Sequence, residues 1–161
     1  MKEIPLSRGL VALVDDEDFA AVSKFKWSAA RANGGVYAVR GTTRRVNGVR
    51  KQRQFSIHRM VMGDPDGKQV DHINHDTLDC RKSNLRIATA AQNQWNRKGP
   101  QRNNTTGFRG VIWRKDRKTF IARLKVNGAL KHLGSFPTKE MARSAYASAN
   151  REYFGEFGGA A

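Results

Sequence analysis

Four side chains between positions 71 and 93 are of the types that could hydrolyse a phosphodiester. Asp71 and His72 are adjacent, Asn84 follows Asp71 by thirteen residues, and Asn93 follows Asn84 by nine. Asp71 and Asn93 offer hard oxygen donors suited to Mg²⁺, an ion that keeps several waters and takes further ligands from phosphate. His72 titrates near neutrality and can act as a general base toward water. Asn84 could hold the imidazole by a hydrogen bond and fix its orientation, as the third member of a triad does. An isolated Asp-His pair is more often plain solvent-facing polarity. The two asparagines at these spacings shift the balance to chemistry.

These residues need a scaffold, and the local sequence outlines one. Asp71-His72 ends an apolar step, Leu85-Arg86-Ile87-Ala88 reads as a second strand, and Thr89 opens a helix. Gln92, three residues on, makes a capping box, which places Asn93 in the first turns. Asn96, one turn further, is the weaker ligand candidate. His58 heads Met60-Val61-Met62 and reads as a helix-start or packing histidine before a phosphate contact. His75, in Asn74-His75-Asp76, reads as a turn residue. Cys80 is the only cysteine, so there is no internal disulfide and no structural zinc clip. It is expected to be inert.

Before this segment, IPLSRGLVALV (4–14) suggests a strand pair around Arg8-Gly9. Asp15–Asp18 open a short helix, since acids suit a helix start. Strands at Val36–Arg40 and Arg53–Ile57 would be joined through Asn47-Gly48, a hairpin signal. After it, GPQRNNTT (99–106) is a polar linker. Three strands are expected at Phe108–Arg114, Thr119–Val126 and Ala129–Phe136. The second alternates, with Phe120, Ala122, Leu124 and Val126 on one face and Thr119, Ile121, Arg123 and Lys125 on the other. Asn127-Gly128 closes the last hairpin with a primed turn. Thr138 caps a helix whose apolar stripe is Ala142, Ala145, Tyr146, Ala149 and Tyr153, ended by Gly155. One sheet face then buries against small alanines, and the cationic face is left to enter a groove.

Charge points the same way. The 161 residues hold 30 Lys and Arg against 14 Asp and Glu, a formal +16, which attracts polyanions and says nothing about fold. Residues 102–132 carry nine cations and one acid, Asp116. Residues 44–53 carry Arg44, Arg45, Arg50, Lys51 and Arg53 with no acid. Two such clusters favour nucleic acid over a merely solvated basic face. No apolar run is long enough for a membrane span, and the N-terminus is unlike a secretory signal. A soluble cytoplasmic protein is expected.

The order Asp71-His72, Asn84, Asn93 resembles the ββα-metal, or HNH, nuclease motif. The block HRMVMGDPDGKQVDHINHDTLDCRKSNLRIATAAQNQWN (58–96) resembles HNH endonucleases of phages and mobile introns. That resemblance implies that Asp71 and Asn93 bind one divalent metal, Mg²⁺ with Mn²⁺ as substitute. It implies that His72 activates water and that Asn84 is the motif's middle asparagine. Asn93 stands in place of the third letter's histidine. TGFRGVIWRKDRKTFIARLKVNGALKHLGSFPTKEMARSAYASANREYFGEF (106–157) resembles an AP2 domain, which lays a three-stranded sheet in the major groove. By position, Arg109, Arg114, Arg123, Lys125 and His132 would face the groove. Trp113 stays open between core and stacking on sugar or base. Leu130-Lys131 reverses the family's cation-then-apolar order and Arg123 replaces a usual acid, so the base sequence is not assigned. The segment IPLSRGLVALVDDEDF with Lys26-Trp27 resembles stretches that precede the nuclease block in similar phage proteins.

The expected fold is α+β: a β-rich N-terminal region (1–55), a ββα-metal nuclease core (56–98), a linker (99–106), and a three-stranded antiparallel sheet on one helix (107–158). The expected function is hydrolysis of double-stranded DNA to 5′-phosphate and 3′-hydroxyl ends, by a monomer, with a dimer as the alternative. A DNA-binding regulator carrying an inactive nuclease remnant is the rival. A single-strand or RNA binder is disfavoured, because the aromatics sit mostly at core positions and leave no stacking platform.

Overall fold

The computed structural model of the protein describes residues 1–32, 34–96, 99–100 and 103–158. The chain forms two compact units, Met1–Thr89 and Ala90–Ala161. The division lies ahead of the expected linker at 99–106, of which Gln101 and Arg102 lie outside the described residues, as do Arg97 and Lys98 before it. No helix among the described residues is long and apolar enough to cross a membrane.

In the first unit β1 (Lys2–Pro5) pairs antiparallel with β2 (Val11–Val14). The turn between them places Arg8 at φ 67 and Gly9 at φ 68, so the strand pair forms where Arg8-Gly9 signalled it. Helix α1 spans Asp16–Val22. Its N-cap, Asp15, makes no side-chain cap bond. The Asp15 carboxylate accepts from the Lys82 N–H at 2.8 Å instead, tying the helix start to a distant loop.

Strands β3 (Ser28–Ala32), β4 (Gly35–Val46) and β5 (Val49–Ser56) form an antiparallel sheet. The β4–β5 turn has Asn47 at φ 50 and Gly48 at φ 78. Two positive φ angles match the right-handed twist of the strands. Strand β3 covers only Gly35–Val39 of β4, so the rest of the hairpin is a two-stranded ribbon. Helix α2 (Ile57–Val61) follows, then the antiparallel pair β6 (Gln69–His72) and β7 (Leu85–Ala88). One apolar cluster holds the unit together: Ile4, Val14, Val22, Trp27 and Ala38 pack with Ile57, Val70, Cys80 and Leu85. Residues 1–55 thus share a core with the segment after them. Cys80 is fully buried, and burial pushes its thiol up to about 12.

The second unit begins with α3 (Ala90–Trp95). Its sheet has the order β10-β9-β8, with β8 at Val111–Arg114, β9 at Thr119–Val126 and β10 at Ala129–Phe136. The first strand begins at Val111 and not at Phe108, because Gly110 turns at φ 70. A Cβ there would lie 2.1 Å from the Tyr146 ring and 2.6 Å from the Arg123 carbonyl, so only glycine lets the chain pass. Asn127 (φ 49) and Gly128 (φ 83) form the expected primed turn. Thr138 caps α4 (Lys139–Phe154), its hydroxyl accepting from Met141 N–H at 3.2 Å, a contact that contributes about 1 kcal/mol.

The core is Val111, Ala122, Leu124, Ala142, Tyr146, Ala149 and Phe154. Two expectations are corrected. Tyr153 is 41% exposed and Phe154 takes the core position; the Tyr153 hydroxyl sits 3.0 Å from Lys131 Nζ. Ile121, assigned to the cationic face, is buried there between its register partners Ile112 and Ser135. Helix α3 joins this unit through Trp95, which stacks on Phe154 at 4.2 Å.

Candidate active site

Strand register sets the first element of the site. Pairing of β6 with β7 puts Asp71 opposite Arg86 and His72 opposite Leu85. Asp71, His72 and Arg86 are 6%, 5% and 9% exposed. A charge withdrawn from water needs a partner, and Arg86 supplies it. Its Nε and Nη2 both donate to Asp71 Oδ2, at 2.9 and 2.8 Å.

His72 lies in a small ring cluster. The His58 ring, on α2, stands edge-on to it at 5.0 Å, and Tyr37, on β4, approaches His58 at 5.6 Å and His72 at 6.1 Å. Ser56 Oγ lies 3.1 Å from His58 Nε2. Burial pushes the His58 imidazole down to about 4, and the charges of His72 and Arg59 act in the same direction. Burial also lowers His72 below its ordinary 6.5, against the carboxylates of Asp71, Asp76 and Asp79, which raise it. A lowered value leaves the ring neutral at pH 7, the form that accepts a proton. The Tyr37 hydroxyl is raised, first by burial and then by the Asp71 charge.

The loop between β6 and β7 is tied by Asn84. Its Nδ2 donates to the Asp79 carbonyl at 2.8 Å, and its Oδ1 accepts from Asn74 N–H at 2.9 Å. Both ends of the amide thus serve loop backbone. Asp79 is held below the usual carboxylate range, chiefly by Arg81, and accepts Arg81 Nε and Nη2 at 2.7 Å each. His75 sits at φ 65, in the turn expected of it. Asn84 thus braces the loop that joins the two strands.

Among the described residues no group of three or more His, Cys, Asp or Glu could hold a metal. A hydrated Mg²⁺ needs fewer protein ligands, typically one or two carboxylates. A carboxylate has two oxygens, so support by Arg86 on Oδ2 is compatible with ligation by Asp71. Asn93, the other expected ligand, lies half-buried on α3 in the second unit.

The expected DNA contacts divide by strand register. Arg123 pairs with His132, Lys125 with Leu130, and Arg114 with Thr119, so Arg114, Arg123, Lys125 and His132 share the sheet face away from the core. Arg114 is paired through Nε and Nη2 to the Asp116 carboxylate at 2.8 and 2.7 Å. Trp113 is not on that face. It packs at 4.6 Å on Phe120, whose ring borders the core. Arg109 is engaged elsewhere: its guanidinium donates to the carbonyls of Trp95 and Gln94 at 2.8 and 3.2 Å, holding the C-terminal end of α3.

Sequence reasoning missed Arg86 and Tyr37, while His58 packs at the start of α2 as expected. Arg86 was inside a recognised strand, but its partner depends on a register that residue types do not encode. Tyr37 comes from a strand 35 positions away from His72.

The HNH endonuclease family profile matches residues 56–95, the stretch that supplies His58, Asp71, His72, Asn84 and Asn93. A protein of Acanthamoeba polyphaga mimivirus named an uncharacterized HNH endonuclease is 30% identical over 151 residues, 93% of this chain and 74% of that one. Protein 3.8 of Escherichia phage T7 is 32% identical over 93 residues, 58% of this chain and 75% of that one. The match at 30% identity runs through both units, and the chain belongs to the HNH endonuclease family, as a nuclease.

Proposed function

We propose that the chain is a metal-dependent DNA endonuclease that leaves 5′-phosphate and 3′-hydroxyl ends. The observation that carries this reading is the buried Asp71-His72 pair, with the carboxylate fixed by Arg86 and the imidazole kept neutral by burial. His72 removes a proton from the attacking water. Asp71 would hold a divalent cation, with Asn93 as its second ligand by the family's order of residues. When bound, Mg²⁺, or Mn²⁺ in its place, offsets charge on the phosphate and on the departing 3′-oxygen. Arg86 and Asn84 position Asp71 and His72 and take no part in the proton transfer. The C-terminal sheet, which resembles an AP2 domain, lies in the major groove with Arg123, Lys125 and His132 toward the duplex. Most of these contacts are to phosphate, because most protein–DNA bonds are.

Supercoiled plasmid incubated with Mg²⁺ or Mn²⁺ tests the reading. Wild type should nick or linearise it, and His72→Ala should lower the rate by roughly 10²–10⁴-fold. Equal cleavage by the mutant would remove His72 from its role. Salt-dependent binding by wild type with no cleavage under either metal would instead favour a DNA-binding regulator.

A further inference from the structure

The β4–β5 hairpin outgrows the sheet that supports it. Strand β3 stops pairing at Val39. From residue 41 to residue 54 every position except Val46 is exposed, so neither face of this ribbon covers a core. From Gly41 to Val46 the stem is roughly 17 Å long at ~3.3 Å per residue. A hairpin that buries nothing gains little from packing, and beyond its Asn47-Gly48 turn little holds the ribbon together.

Its charges make matters worse for the isolated protein. Arg44 stands directly opposite Lys51, and Arg45 directly opposite Arg50. Like charges at directly opposed positions destabilise an antiparallel pair. No acid occurs between residues 35 and 56. Among the described ion pairs only Arg53 finds an acid, Asp64 at 3.4 Å, and it lies nearer the base of the stem. The two opposed pairs are neighbours along the strand, so they point to opposite faces. The ribbon therefore carries one cation pair on each face, which suits a narrow space with negative charge on both sides. The major groove of duplex DNA is such a space: it admits a two-stranded ribbon and has a phosphate strand along each wall.

The geometry points to the β4–β5 ribbon as a second DNA-binding element, an arm that enters a groove with Arg44 and Lys51 on one phosphate wall and Arg45 and Arg50 on the other. This rests on the reading of the chain as a DNA nuclease. It adds a contact in the first unit, separate from the C-terminal sheet. Bound phosphates would also relieve the repulsion across the hairpin.

The test uses the full chain with EDTA present, so that only binding is read. Binding of a fluorescent duplex is measured by anisotropy over a range of salt for wild type, Arg44→Gln/Lys51→Gln, Arg45→Gln/Arg50→Gln and the four-fold variant. Each neutralised phosphate contributes about 0.9 to the slope of log K against log salt. Each double variant should flatten the slope by about 2, and the four-fold variant by about 4. The four-fold variant should melt no lower than wild type, since it loses only repulsion. Unchanged slopes in both doubles would overturn the proposal. Loss confined to one double would overturn placement in a groove in favour of contact along one face. A greater loss on single-stranded RNA than on duplex would overturn the choice of partner. Failure of wild type to cleave plasmid, with these slopes as expected, would overturn the nuclease reading and leave the arm standing.

Discussion

Among the described residues, the buried polar ones of Met1–Thr89 are Asp71, His72, Asp79, Asn84 and Arg86, while those of Ala90–Ala161 are Asn96 and Asn150, neither of them charged. The second unit keeps its cations on an outward sheet face, where Lys125 and His132 are exposed and Arg123 half-buried. The contrast separates two uses of charge. On the proposed reading, a side chain that must hold one geometry for bond breaking is withdrawn from water and tied to a partner. One that must find phosphate stays wet, because exposed charges are cheap to keep and easily shared.

The contrast can be broken at its strongest point. Arg86→Met leaves the Asp71 carboxylate buried without its partner, and should cost about 3–5 kcal/mol in urea unfolding. A cost below about 1 kcal/mol would mean that water reaches Asp71, and that the first unit does not bury its charge in any functional sense. Adding Asp71→Asn to this variant should restore part of the stability.

Acid should act on the first unit next. His58 titrates at about 4 in the folded protein against an ordinary 6.5. The unfolded chain therefore takes up the proton first, and stability falls as pH drops from 6.5 to about 4, then levels. The contribution is up to about 3 kcal/mol. Unfolding curves at several pH values should show this slope, and His58→Gln should flatten it. An unchanged slope in the variant would place the acid sensitivity elsewhere.

The smallest effect on stability belongs to the sheet face. Arg123→Gln with Lys125→Gln should change unfolding by no more than about 0.5 kcal/mol, while flattening the salt dependence of duplex binding by about 2. A marked loss of stability would show that these side chains pack, and would erase the distinction between the units.

What was legible in the sequence is mostly local. Asn47-Gly48 and Asn127-Gly128 each announced a two-residue turn, and both have the required positive φ angles. Alternation over residues 119–126 gave the core face, and Thr138 gave a helix start. Errors arose where a residue's neighbour comes from far away. Ile121 and Tyr153 were assigned by period alone, but burial was decided by cross-strand partners and by Phe154. Arg109 was assigned by resemblance, yet its guanidinium is engaged by carbonyls fourteen and fifteen residues back. In the candidate site the motif named Asp71, His72 and Asn84, but the salt bridge to Arg86 and the rings of Tyr37 and His58 follow from register and topology. No short window of sequence holds that information.

The single cysteine has a practical value. Thiols react as thiolates, and one whose ionisation is pushed up to about 12 inside a core stays silent to maleimides at neutral pH. Val49, 61% exposed on the hairpin, could therefore be exchanged for cysteine without first removing Cys80. A dye coupled there would label a single address, at the outer end of the ribbon, and energy transfer to a labelled duplex would report how close that address comes.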